Sequence, residues 1–309
     1  MERYFATVAS AERYAHAEGP IAGDGDRVLW VDIPNGDVFE AEVDYKNGVF
    51  QLTGARLFSH VDGTVGAVLL GRDPANTLDD FPEVAFAAGT RMLFRSRSGS
   101  IRSIVPLCGV SPKTVRFNDA KVDPFGQIVA GTMAFDAAPD AGGLYRMDSE
   151  GRIETLLTHA TISNGLAWSL DGASMYYIDS AHPVVDVFDY AQNGSLQNRR
   201  QFASIPSSTG TPDGMCIDSH GFIWVAIWGG SQVQCFLPDG DLFAIIEVDA
   251  PNVSSCAFVG ANRDLLLITT SRQGLSEDQI RLNPNAGALF LVDVNVVGQP
   301  QARFGITLF

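Results

Sequence analysis

The feature that most constrains this chain is a repeat. A polar or small residue, a small residue, an apolar strand, a turn carrying Asp or Gly, and a second apolar strand recur along the sequence. Glu18-Gly-Pro leads to Asp24-Gly-Asp and a strand at Val28, and Asn118-Asp-Ala leads to Asp123-Pro-Phe-Gly126 and a strand at Ile128. Asn164-Gly-Leu leads to Asp171-Gly172 and Met175, and Asp213-Gly-Met leads to Asp218-Ser-His-Gly221 and Ile223. Ser255-Cys-Ala leads to Asn262-Arg-Asp264 and Leu265, and a weaker copy starts near Val65-Gly-Ala. A period of roughly 40 to 50 residues with several strands per unit marks a β-propeller.

The runs themselves have strand chemistry. Arg27-Val-Leu-Trp-Val-Asp32, Ser174-Met-Tyr-Tyr-Ile-Asp179, Phe222-Ile-Trp-Val-Ala-Ile227 and Leu265-Leu-Leu-Ile-Thr269 are rich in β-branched, aromatic and aliphatic residues between turn formers. Third strands are expected at Gly143-Leu-Tyr-Arg-Met-Asp148, Val184-Val-Asp-Val-Phe-Asp189, Gln232-Val-Gln-Cys-Phe236 and Gly287-Ala-Leu-Phe-Leu-Val-Asp293, with an outer strand such as Arg152-Ile-Glu-Thr-Leu156. The expected fold is all-β, a six-bladed β-propeller of four-stranded antiparallel blades around a central channel, with residues 1–309 forming one domain. The competing reading is an all-β sandwich whose periodicity is accidental.

Charge narrows the partners. Acidic residues outnumber basic ones, 36 to 21, for a formal net charge of −15. A field of that sign repels phosphate backbones and anionic membranes, so neither nucleic acid nor a membrane is an expected partner. No apolar run reaches the roughly 18 to 20 residues that span a bilayer. Residues 1–14 lack the basic and apolar regions of a secretory leader. Cys108, Cys216, Cys235 and Cys256 form no CxxC pair and sit in apolar runs, which reads as reduced core thiols in a cytoplasmic protein.

In a propeller, equivalent positions of the innermost strands ring the axis. Here those positions are Glu18, Val65, Asn118, Asn164, Asp213 and Ser255. Glu, Asn, Asn and Asp are poor choices for starting an apolar strand, and buried polar groups must be paired or must hold something. A shared cation answers the need. Carboxylate and amide oxygens suit Ca²⁺, Mg²⁺ or Mn²⁺ and tolerate Zn²⁺. Few protein ligands leave positions open for water or substrate. Asn164-Gly165 and Asp213-Gly214 are also ordinary turn sequences, and Glu18 could serve only to bond backbone amides.

These segments resemble the SMP-30/gluconolactonase/regucalcin family of six-bladed propellers, to which luciferin-regenerating enzyme belongs. The matching stretches are Glu18-Gly-Pro with Leu29-Trp-Val-Asp-Ile33, Arg116-Phe-Asn-Asp-Ala-Lys-Val-Asp-Pro124 with Ala130-Gly-Thr-Met133, and Ser163-Asn-Gly-Leu-Ala-Trp-Ser169 with Tyr176-Tyr-Ile-Asp-Ser180. Pro212-Asp-Gly-Met-Cys-Ile-Asp218 and Ala286-Gly-Ala-Leu-Phe290 complete the set. The resemblance implies metal ligands at Glu18, Asn164 and Asp213, and places Arg116 and Asn118 beside a sugar. It also implies a second substrate-contacting carboxylate soon after Gly-Thr-Met. Asp136 fills that place here, with a shorter side chain than Glu and an apolar Phe135 before it. Asp119 is either a further substrate contact or a structural residue.

The implied reaction is metal-dependent hydrolysis of a sugar lactone to the aldonic acid. Asp213 ligates one divalent ion and takes a proton from water, while Arg116 orients the substrate. A non-catalytic calcium-binding regulator and another metal-dependent hydrolase, such as an organophosphate esterase, would use the same site. Serine hydrolysis is not expected, because no Gly-x-Ser-x-Gly motif occurs. His16, His60, His159, His182 and His220 show no ligand spacing, and only His182 is placed near a pocket mouth. Residues 71–81 read as a surface loop or a lid, and the apolar stretch from Phe304 to Phe309 as an outer closure or a docking segment. The assembly expected is a monomer or a weak homodimer.

Overall fold

The repeat folds into hairpins because each turn supplies its own acceptor and a residue that accepts positive φ. In Asp123-Pro-Phe-Gly126, the Asp123 carboxylate accepts the N–H of Phe125 at 2.9 Å and of Gln127 at 2.8 Å, and Gly126 takes φ 82°. Asp148 accepts from Glu150 at 2.9 Å and Arg152 at 3.0 Å. Asp218 accepts from His220 at 2.8 Å and Phe222 at 3.0 Å, and its second oxygen receives the Trp224 indole N–H at 2.9 Å. An acidic first residue and a left-handed fourth residue stabilise these strand connections.

A computed structural model of the protein describes residues 1–46, 48–72, 82–104, 107 and 110–305. Among them, four separate four-stranded antiparallel sheets follow one another, each pairing its strands in chain order. Their first strands are Ala17–Ala22, Val65–Leu70, Val115–Val122 and Ser163–Trp168. A nine-stranded sheet contains two further runs, which begin at Thr211–Ile217 and Asn252–Val259 and are joined by one residue pair, Trp228 with Asn252. The amino terminus completes this sheet. Glu2–Phe5 lies parallel to Leu242–Glu247, and Thr7–Val8 lies antiparallel to Leu289–Asp293.

The result is an all-β, propeller-like fold. Ser163–Trp168 and Asn252–Val259 are buried along their whole length, whereas Leu196–Ser204, the last strand of its sheet, is mostly exposed. The core lies between consecutive sheets. Leu29 and Val31 pack with Val68, Val84 and Phe86 of the next sheet. Val259 and Leu267 pack back onto Val28 and Trp30, joining the last sheet to the first. Among the described residues, no helix is long and apolar enough to cross a membrane.

Strands Arg27–Asp32, Ser174–Asp179 and Gln232–Phe236 stand where the hydrophobic runs put them. Others shift by a residue or two: Ile223–Trp228 in place of 222–227, and Leu289–Asp293 in place of 287–293. Residues 1–14, read only as polar, supply two strands because they add to edges already formed. Phe304 is fully buried, edge-on to Phe94. Of the loop at 71–81 only Gly71 and Arg72 are described; 73–81, Cys108 and 306–309 lie outside the described residues.

Candidate functional site

Every inner strand breaks register near its start. The shifts fall between Glu18 and Ile21, Val65 and Ala67, Phe117 and Ala120, Ser163 and Leu166, Pro212 and Met215, and Val253 and Ser255. Glu18, Asn118, Asp119, Asn164 and Asp213 sit at or within these irregularities. A bulge turns a side chain out of strict alternation, so an otherwise apolar strand presents a polar group without reversing its core face. Glycines bring the strands close. A Cβ on Gly66 would lie 2.7 Å from the Asn118 carbonyl oxygen, and one on Gly165 would lie 2.6 Å from that of Asp213. The Ser254 hydroxyl donates to Ala17 O at 2.7 Å, joining the last inner strand to the first.

Hydrogen bonds fix the orientation of the polar residues. The Ser180 hydroxyl donates to Pro212 O at 2.7 Å and therefore accepts from the Asn164 amide nitrogen at 2.8 Å. That leaves Asn164 Oδ1 turned to Asn118, whose Nδ2 donates to it at 3.0 Å and to Ser163 O at 3.1 Å. Asn118 Oδ1 accepts from Arg116 at 2.7 Å. The amide hydrogens of Asn118 are thus committed within the protein. Arg116 spends its other bonds on Phe117 O at 2.9 Å and Met133 Sδ at 3.2 Å. Two of the five N–H groups of a guanidinium remain for a ligand.

The electrostatics are those of crowded acid. Glu18, Asp119 and Asp213 are all buried. Burial pushes the Glu18 carboxyl well above the usual range, and the charges of Asp213 and Asp119 add to the effect. Burial and then Asp119 raise Asp213, against the pull of Arg116. Asp119 is raised by burial and opposed by Lys121. Arg116, desolvated in the same place, is pushed down to about 10 and supported by Glu18 and Asp213; it stays charged at neutral pH. Three carboxylates thus meet two basic side chains, one of which, Lys121, is committed to the Met215 carbonyl.

This donor set fits a divalent cation. Anionic oxygens held in a desolvated cluster repel one another until a cation or protons neutralise them. Among the described residues no three His, Cys, Asp or Glu side chains form a metal cage by themselves; here carboxylates combine with an amide. Asp136 stands apart. It is exposed just past Ile128–Ala134, its carboxylate accepting from Ala138 N–H at 3.1 Å, on the end of that strand where Met133 pairs with Arg116. His182 and His220 are exposed.

Some residues carry weight that their types did not signal. Asp32 accepts His16 N–H at 2.8 Å and Ala15 N–H at 3.1 Å, just ahead of Glu18. Asp179 accepts Ile162 N–H and Thr161 N–H, both at 2.9 Å, just ahead of Asn164. The same device thus fixes the approach to two of the site residues. His16 is buried against Trp228, with ring centroids 5.3 Å apart, and its Nδ1 lies 2.7 Å from Gln273 Oε1. Its place two residues before Glu18 in the sequence was the available signal.

A family model described as SMP-30/Gluconolactonase/LRE-like region matches residues 16–272. The chain belongs to this family. A member from Oryctolagus cuniculus, regucalcin, is 38% identical over 209 residues, covering 64% of this chain and 70% of that protein. Among solved structures, a calcium-binding protein, regucalcin, from Agrobacterium tumefaciens has a TM-score of 0.85 at 23% identity and covers 98% of both chains. A gluconolactonase from Xanthomonas campestris has a TM-score of 0.68 at 18% identity, covering 93% of this chain and 94% of that one. Those two structures speak for the fold, and the family match spans every bulge that carries a candidate residue.

Proposed function

We propose that this family member is a six-bladed propeller that hydrolyses a small sugar lactone to its aldonic acid with the help of one divalent ion. The blade count takes the nine-stranded sheet as two blades meeting at Trp228 and Asn252. The observation that carries the function is the meeting of Glu18, Asp119 and Asp213, all buried, with the Arg116 guanidinium and Asn164 at the inner-strand bulges. Glu18, Asn164 and Asp213 would hold the ion, which, when bound, supplies Lewis-acid polarisation of the lactone carbonyl. Ca²⁺ is the first candidate, and Mg²⁺, Mn²⁺ and Zn²⁺ share the ligand chemistry.

The chain's own residues supply the rest. Asp213 takes a proton from the attacking water as its oxygen bonds to the carbonyl carbon. The ring C–O bond then breaks, and the departing alkoxide recovers that proton from Asp213. Arg116 directs its two uncommitted N–H groups at the substrate oxygens, and Asn118 holds it in place. Asp119 keeps the field negative, and Asp136 at the rim receives sugar hydroxyls.

A purely ion-holding protein would need the carboxylates and Asn164 but no buried guanidinium with two N–H groups to spare, so Arg116 favours the enzyme over a calcium-binding regulator. Asp213→Asn keeps the shape and removes the base, and lactone turnover followed by acid release is expected to fall at least a thousandfold. Undiminished turnover in that variant would end the assignment.

A further inference from the structure

The inner strands have a second end. There, Ala22, Leu70, Val122, Trp168, Ile217 and Phe258 converge on a cavity of about 540 Å³, and residues 299–303 cross it as one wall. The crossing segment is anchored all the way along. Gln299 N–H donates to Ile217 O at 3.2 Å, Gln301 Oε1 accepts from Ala22 N–H at 3.2 Å, and Phe304 N–H donates to Leu70 O at 3.0 Å. Glu18 and Ala22 mark opposite ends of one strand, so this cavity faces away from the acidic cluster.

Its chemistry is also opposite. In a chain of net charge −15, the wall carries Arg263 and Arg303, with Lys121 committed to the Met215 carbonyl, against a single acid, Asp24. Arg303 is paired with Asp24 at 2.5 Å. Arg263 is not so used: its Nε is buried and has no hydrogen-bond partner among the described residues. Arg263 lines the cavity, and the outer nitrogens of its guanidinium are the groups that an anion there would meet.

The backbone under Arg263 makes the same point independently. Four inner hairpins turn through four residues closed by an N–H of the fourth onto the carbonyl of the first: Gly126 to Asp123 at 3.0 Å, Gly172 to Ser169 at 2.8 Å, Gly221 to Asp218 at 3.1 Å and Arg263 to Gly260 at 2.9 Å. The fourth residue takes left-handed φ in each, 82°, 70°, 82° and 56°. Glycine occupies three of these places because no side chain resists that conformation. Arginine holds the other at a cost in strain, and strain of this kind collects where a side chain has a task.

We propose that this cavity is a binding site for a small organic anion with an apolar body, its charged group held by Arg263 and its body by Leu70, Val122, Ile217 and Phe258. The volume is that of ordinary small-molecule sites. The cavity lies at the other end of the inner strands from the acidic cluster, so the site is independent of the reaction proposed above.

Titration calorimetry with octanoate, octan-1-ol and inorganic phosphate tests this on the intact protein. Arg263→Gly and Arg263→Asn both put a residue suited to left-handed φ in the turn while removing the charge. Octanoate is expected to bind the wild type at submillimolar concentration and more tightly than phosphate. Both variants are expected to bind octanoate at least tenfold more weakly, to bind octan-1-ol as the wild type does, and to melt no lower. Octanoate that fails to bind the wild type, or that binds the variants equally, overturns the proposal. So does phosphate binding as tight as octanoate's, which would reduce the site to an adventitious anion contact, or variants that melt several degrees lower, which would make Arg263 structural.

Discussion

Asn118 donates its amide N–H to Asn164 Oδ1 across 3.0 Å, joining the inner strands of two consecutive sheets. The same side chain accepts from Arg116 at 2.7 Å and donates to Ser163 O at 3.1 Å. One residue therefore sets the direction of a proposed metal ligand and of the site's guanidinium. Asn118→Ala is expected to cost about 2 kcal/mol, the scale of losing buried hydrogen bonds with charged and neutral partners. Denaturant unfolding measures it. A loss under 0.5 kcal/mol would mean that the link is idle.

The acidic cluster makes stability and metal affinity depend on pH together. Glu18 and Asp213 have raised pKa values in the metal-free fold. Such groups favour the folded state fully below the ordinary carboxylate range of about 4, and that contribution is lost as pH rises through their folded values. Bound Ca²⁺ removes the penalty. At a hundredfold excess over Kd it adds about 2.7 kcal/mol, so chelator-treated protein should lose melting temperature from pH 5 to pH 8 while Ca²⁺-loaded protein should not. Parallel melting curves with and without Ca²⁺ at both pH values decide it.

Close strand approach at the site rests on glycine. Gly165→Ala places a Cβ 2.6 Å from Asp213 O and 2.8 Å from Ile178 Cδ1. The carbonyl is backbone and cannot step aside, so a loss of about 3 kcal/mol is expected. Gly25→Ala meets nothing within 4 Å but sits at φ 64°; a loss near 1 kcal/mol is expected. Unfolding free energies that come out equal for the two would contradict the reading of the inner ring.

Cys216 and Cys235 are buried, and burial pushes both thiols up. Little thiolate forms at neutral pH, so neither should alkylate in the native protein. Peptide mapping after iodoacetamide is expected to find both unlabelled in buffer and fully labelled in denaturant.

Much of the fold was legible because its signals are local. Arg27–Asp32 and Ser174–Asp179 are written as β-branched and aromatic runs, and Asp123 and Gly126 as a turn that closes on itself. The chemistry at Glu18, Asn164 and Asp213 was legible as polar residues where apolar ones belong. The bulges beside them were not, because register is a property of two strands and no single run encodes it. Glu2–Phe5 and Thr7–Val8 were missed for the same reason: they are strands only because an edge awaits them. Asp179 gave no sign that its carboxylate holds Thr161 and Ile162, residues distant in sequence but adjacent in space. Asn118, read as a sugar contact, has its amide hydrogens committed to Ser163 and Asn164.

The most direct measurement is acid release from a panel of aldonolactones by protein stripped with a chelator, before and after adding Ca²⁺, Mg²⁺, Mn²⁺ or Zn²⁺. The expected result is no turnover by the stripped protein and restored turnover of at least one lactone with metal, lost again in Asp213→Asn. Metal binding without hydrolysis of any lactone, or full hydrolysis without metal, would contradict it.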